Sequence, residues 1–174
     1  AIVTDSILFN TNGNIQDVDL VAFGWDAHFI YPTNYIDGIG PYGFIECDTV
    51  WTANKPHVIY GWAVVPENCT LTIEAGARIY SHKGSGLIVD ENATLIVNGT
   101  AQNPVYFASD RLDDFYEDQA GEWNWIWLFN GSKDNEINGA IIKNGNLGIR
   151  VDTVNASSSN PTLKLSNTII QNMA

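Results

Sequence analysis

The densest set of groups able to do chemistry in this chain is acidic. Asp110, Asp113, Asp114, Glu117 and Asp118 fall within one short stretch whose only base is Arg111. Carboxylates gathered in this way suit a hard cation such as Ca2+, which takes roughly six to eight oxygen ligands, so these five are the candidate metal ligands. Five carboxylates on one loop also lack the rigidity that a catalytic constellation needs. The alternatives are therefore a solvated or structural loop and a calcium site, with a catalytic role least favoured. The second set is aromatic, Trp123-Asn-Trp-Ile-Trp-Leu-Phe129. If this stretch is a strand, alternation sends Ile126 and Leu128 inward and Trp125, Trp127 and Phe129 outward. Large rings in a row are unusual on an exposed surface, and they can stack on sugar rings or bury against a protein. Trp125, Trp127 and Phe129 are the candidate ligand- or partner-binding residues. The alternative is that the acidic stretch, or residues 30–46, lies over them.

Other chemistry is scarce. His28, His57 and His82 are dispersed and show no metal-ligand spacing. Glu74, Glu91, Glu122 and Glu136 do not pair as the two facing carboxylates of a glycosidase would. There is no GxSxG, HExxH or phosphate loop, so no catalytic residue is assigned, and Ca2+ is the one cofactor considered. Cys47 and Cys69 flank an aromatic segment; they are either a disulfide closing a loop of about twenty residues, worth roughly 3 kcal/mol, or two buried thiols. Asn68, Asn92, Asn98, Asn130 and Asn155 each begin an N-x-S/T sequon, and the same residues make ordinary turns, which is the first reading of them.

Composition narrows the class. Of 174 residues, 20 are acidic and 8 basic, a formal net charge of −12. Such a chain has little with which to displace counterions from a polyphosphate, so neither nucleic acid nor an anionic membrane surface is an expected partner. Charged residues make up only 16% while apolar ones reach 45%, and Asn (19 residues), Thr, Ser and Gly fill the difference. That balance argues against disorder and against helix, because Asn, Thr and Gly are weak helix formers. An all-β chain is expected. No apolar run is long enough to span a bilayer as a helix, and no basic n-region with an apolar h-region opens the chain, so any export signal is expected to have been removed or to lie outside it.

Three regions follow. Residues 1–29 read as a β-hairpin, with a strand at Ser6–Phe9, a turn over Asn10–Asn14 and a second strand at Ile15–Phe23 whose alternation slips near Gln16. It is expected to be the remnant of an N-terminal β-sandwich. Residues 30–50, rich in Gly, Pro and Tyr without clean periodicity, read as a linker. From 51 to 174, short β-branched runs recur, each ended by Gly, Asn or Pro. Cys69-TLTIEAG aligns with Ala93-TLIVNGT at an offset of 24 residues (69 to 93), and Ile137-NGAIIKN with Leu165-SNTIIQN at 28 (137 to 165). Such a period with several short strands is the mark of a solenoid, with residues 109–122 as an insertion.

Physically, three short strands and three turns make one coil of a parallel β-helix, with equivalent strands stacked about 4.8 Å apart. Alternate side chains enter a narrow interior: Leu71 and Ile73, Leu95 and Val97, Ile126 and Leu128. Its end coils need covering, a role expected for residues 48–68 with Trp51, Tyr60 and Trp62. The chain stops within a coil, so a longer β-helix is expected.

The segments DTVWTANKPHVIYGWAVVPENCTLTIEAGARIY, GLIVDENATLIVNGTAQNPVYFASDRLDD and GEWNWIWLFNGSKDNEINGAIIKNG resemble right-handed parallel β-helix proteins of the pectin-lyase-like superfamily. More narrowly, they are similar to surface proteins and lipoproteins of the Bacteroidota type, and the preceding hairpin resembles the closing strands of an immunoglobulin-like domain. No lipobox cysteine is present. The resemblance implies a secreted or outer-membrane surface protein that is not an enzyme. It would act as a scaffold, as an accessory subunit of an outer-membrane complex, or as a module binding extracellular glycan or protein. The alternative it implies is a carbohydrate-active enzyme, a polysaccharide lyase or glycoside hydrolase, whose site lies in coils outside this chain.

Overall fold

The computed structural model describes residues 2–152 and 161–174; Asn155, the last of the five sequons, lies outside them. Strands β1 (Ile2–Thr11) and β2 (Asn14–Phe23) form an antiparallel sheet of their own. Asn12 and Gly13 turn the hairpin with φ of 52° and 86°, the left-handed pair that a two-residue hairpin favours. The turn is thus tighter than expected, because Thr11 and Asn14 already pair. Ile7, Phe9, Val18 and Leu20 share one exposed face, and Leu8 and Ile15 stand on the other.

The rest is a parallel β-helix. The second coil consists of β7 (His57–Ile59), β8 (Trp62–Val65) and β9 (Thr70–Glu74). The third is β10 (Arg78–Ser81), β11 (Gly86–Val89) and β12 (Thr94–Asn98). The fourth is β13 (Val105–Ser109), β14 (Ile126–Leu128) and β15 (Asn135–Asn138). The fifth is β16 (Ala140–Lys143), β17 (Ile149–Val151) and β18 (Leu163–Ser166), followed by β19 (Ile169–Gln171). The first strands of successive coils stack into sheet I, the second into sheet II and the third into sheet III. The offsets seen in the sequence are the stacking registers: Thr70–Glu74 lies on Thr94–Asn98, and Ile137 on Leu165.

Residues 30–50 are not a linker. With β3 (His28–Ile30), β5 (Gly40–Phe44) and β6 (Val50–Trp51) they build the first coil, each strand parallel to its counterpart in the second. The solenoid therefore starts at His28. Strand β4 (Asn34–Ile36) folds back antiparallel on β5 and covers that edge of sheet II, which removes one open row of backbone groups. The Gly-rich composition has a steric cause. A Cβ on Gly43 would stand 2.6 Å from the Tyr31 carbonyl oxygen, so the chain passes there only without a side chain.

The interior is a set of stacked columns, among them Ala63–Leu87–Ile126, Val65–Val89–Leu128, Ile73–Val97–Ile137 and Ile79–Phe107–Ile142. At about 25 cal/mol per Å2 of apolar surface removed from water, this seam is the main favourable term. Of the residues expected to cover its N-terminal end only Trp51 does so; Trp62 and Tyr60 face outward. Asp48, Asn68 and Asn92 turn the corner from sheet II to sheet III in three successive coils, with φ of 53°, 63° and 57°. Asx residues tolerate this left-handed geometry, so two of the sequon asparagines serve as turns. Cys47 and Cys69 form a disulfide, Cα to Cα 5.0 Å, joining the first coil to the second. Among the described residues no helix is long and apolar enough to cross a membrane.

Candidate functional site

The outer face of sheet I carries two recesses beside a column of aromatic and acidic side chains. One residue beyond each of its first four strands, Tyr31, Tyr60, His82 and Asp110 fall in a single column along the solenoid axis, as the register of Ile30, Ile59, Ser81 and Ser109 requires. Their contacts follow from that register. The Tyr31 and Tyr60 rings stack at 5.1 Å, Tyr60 and His82 lie 5.0 Å apart, and His82 Nδ1 is hydrogen-bonded to Asp110 Oδ2 at 2.8 Å. Phe29 flanks Tyr31 at 5.9 Å, and Trp25, from the segment leading into the first coil, meets Tyr80 edge-on at 5.3 Å. Phe29 and Tyr31 are exposed, at 41% and 59%. Burial, and after it the negative charge of Asp110, pushes the Tyr60 hydroxyl pKa up.

Two recesses border this column. A cleft of 270 Å3 lies among Trp25, Phe29, Val58, Tyr60 and Asp110. A second, of 350 Å3, lies between the sheet and the insertion, with Tyr80, Tyr106, Tyr116, Arg111, Lys143 and Glu117 among its walls. The insertion is held in place from the next coil. The Asn144 Nδ2 donates to the carbonyls of Tyr116, Glu117 and Gln119 at 3.4, 2.9 and 2.9 Å. Lys143 Nζ donates to the Glu117 carbonyl at 3.3 Å, and the Arg111 guanidinium sits 3.9 Å over the Tyr116 ring. Both bases of this recess are thus engaged in holding the loop.

The five acidic residues do not converge. A short turn of 3-10 helix at Asp114–Tyr116 splays them: Asp110 is bound to His82, Asp113 faces Arg111, and Asp118 accepts from Asn172. Asp114 and Glu117 line the larger recess. Among the described residues no three His, Cys, Asp or Glu side chains are grouped as a metal ion would need. That geometry lends no support to the calcium reading of Asp110, Asp113, Asp114, Glu117 and Asp118.

Trp125, Trp127 and Phe129 lie on the outer face of sheet II and pack on one another. Trp62 contacts Trp125 and Trp127 at 5.6 and 5.7 Å, and Trp127 meets Phe129 at 4.6 Å, all inclined rather than face to face. Trp62 is buried and donates to the Ile39 carbonyl at 3.0 Å, so part of segment 30–46 does reach this cluster. Arg150 lies 4.1 Å over Trp127, whose Nε1 donates to Asp152 at 2.9 Å. The rings form a satellite core with Val64 and Ile88, and their faces are largely spent on each other. Sequence reasoning overlooked the sheet I column. Its signal was present as ring-bearing or acidic residues 29, 22 and 28 positions apart (31 to 60 to 82 to 110).

Residues 43–140 match the family model described as a pectate-lyase like beta helix domain. No match was found among curated proteins or among solved structures.

Proposed function

The chain belongs to the pectate-lyase-like beta helix family, and on that premise we propose that it is a non-catalytic, extracytoplasmic module that binds a glycan along the outer face of sheet I. The observation that carries this reading is the column Tyr31–Tyr60–His82–Asp110, flanked by exposed Phe29 and two recesses. Flat rings repeated at the coil spacing offer an extended sugar chain successive apolar faces, each with a polar tip. The glycan is neutral or carries amines, not uronates: the net charge is −12, and Asp113, Asp114 and Glu117 border the larger recess. A lack of catalysis is supported by the two bases there, Arg111 and Lys143, being engaged with the loop. An oxidising location at the cell surface or in the medium is supported by the disulfide that takes up both cysteines.

A second reading has its own observation. Trp125 Nε1 is buried without an acceptor, an orphan that a protein partner docking on sheet II, such as a subunit of an outer-membrane complex, would satisfy.

Affinity electrophoresis through gels carrying neutral polysaccharides tests the proposal. Retention of the native chain should fall at least about tenfold on Tyr31→Ala/Tyr60→Ala, given that a ring contact is worth about 1 kcal/mol beyond its buried area, and should be unchanged by Trp127→Ala. The reverse pattern would move the site to sheet II. Formation of unsaturated uronate from pectin, followed by absorbance, would refute the non-catalytic assignment.

A further inference from the structure

Asp110 is a carboxylate with half of its partners missing. Its Oδ2 meets His82 Nδ1 at 2.8 Å, while Oδ1 is buried and without a hydrogen-bond partner. The side chain as a whole is 12% exposed. A buried carboxylate oxygen left bare is costly, and its presence calls for a reason. Asp110 borders the 270 Å3 cleft, whose other walls are Trp25, Phe29 and Tyr60 over a floor of Val58.

No lysine or arginine lines that cleft. The nearest candidates in sequence are occupied elsewhere: Lys55 pairs with Asp26 at 2.7 Å, and Arg111 lies over Tyr116. Three aromatic rings around one carboxylate, with no lysine or arginine among the walls, attract positive charge. The ring faces are electron-rich, the carboxylate supplies the counter-charge, and the apolar walls lower the local dielectric so that both attractions strengthen. A neutral sugar gains only the ring contacts. From this we infer that the cleft is a subsite for a positively charged ammonium group carried by the bound glycan, an amino sugar with a free amine. Asp110 provides the charge, and Trp25, Phe29 and Tyr60 form the cage. His82 orients the carboxylate from behind without touching the ligand.

The inference rests on the glycan-binding reading for the sugar and on the cleft alone for the charge, and one titration separates the two. Methyl β-D-glucosaminide and methyl β-D-glucoside share a ring and differ at the amine. Calorimetry on the full chain should give at least about tenfold tighter binding of the glucosaminide. Asp110→Asn, which keeps the shape and removes the charge, should abolish that preference, so that the two glycosides bind the variant equally. Equal affinities in the native chain, or a preference that survives Asp110→Asn, would overturn the inference. If neutral polysaccharide is retained and the amine earns no preference, the subsite falls and the proposed function stands. If the amine is bound and no neutral glycan is retained, the cation site stands and the broader reading falls. Should Asp110→Asn fail to fold, displacement of the glucosaminide from the native chain by n-butylammonium but not by n-butanol supports the site. Displacement by neither, or by both equally, overturns it.

Discussion

His57 lies flat against Trp51 at the N-terminal end of the interior, ring centroids 4.5 Å apart and planes within 13°. His28, its register partner in the first coil, stands 5.0 Å from it. His57 is 6% exposed, its Nε2 has no partner, and burial first, then the charge of His28, lowers its pKa from 6.5 to about 4. The unfolded chain therefore takes up the proton more readily than the folded one between these values. Stability from this site is complete above about pH 6.5 and is lost as pH falls towards 4. After a discount for solvent reaching this end of the stack, the loss is of order 2 kcal/mol. Urea midpoints of the native chain should drop from pH 7 to pH 4.5 by more than those of His57→Phe, which keeps the stacked ring and carries no proton. Parallel slopes for the two chains would refute the assignment.

Gly86 is where the Trp62 indole crosses sheet II. A Cβ at that position would stand 2.5 Å from the Trp62 ring and 2.6 Å from the Trp125 carbonyl oxygen. Gly86→Ala should displace the indole, raise its exposure to acrylamide quenching and cost about 1–3 kcal/mol, as overpacking does.

Asn135 occupies a place that pattern alone would give to leucine. It stacks beneath Leu95, is fully buried, and its Oδ1 accepts from the Leu95 backbone N–H at 2.8 Å, while Nδ2 donates to Ser132 Oγ and the Thr162 carbonyl. Asn135→Leu improves the apparent hydrophobic match but strips a buried amide of its acceptor. It should destabilise by about 1–3 kcal/mol and speed hydrogen exchange at the Leu95 amide.

Asn144 ties down the insertion with a side chain that is itself buried, at a backbone φ of 69°. Asn144→Gly retains that backbone and removes the tether. Trypsin should then cut after Arg111 about tenfold faster, with little change in the global urea midpoint, because the loop opens locally.

The Cys47–Cys69 disulfide spans 22 positions. Cys47→Ser/Cys69→Ser should lower stability by about 3 kcal/mol, and a reducing agent should lower the midpoint of the native chain but not that of the double variant.

How much of this was legible beforehand differs by element. Thr70-Leu-Thr-Ile and Thr94-Leu-Ile-Val announce their stacking, because both coils put one apolar residue inward at every second position and turn on an Asx two residues earlier. The first coil hid because its strands are short and its tight passages demand Gly43, which erases alternation. Asn135 shows the complementary failure: a polar residue at an inward position looks like a break in the pattern and is in fact a backbone acceptor. The outward placing of Trp125 and Trp127 followed from alternation, but their mutual packing on Trp62 did not, since it depends on the opening left by Gly86 in the intervening coil. Asp110 was grouped with its acidic neighbours in sequence, whereas register aligns it with His82, a coil away.

The bridge between Cys47 and Cys69 also has a kinetic consequence. Each later coil touches chiefly the one before it, so the stack behaves as a one-dimensional polymer whose costly step is the first doublet. Once oxidised, two adjacent turns of backbone are held at stacking distance even in the denatured ensemble. They form a ready-made seed, and refolding of the oxidised chain should run outward from it, with a direction that the reduced chain lacks.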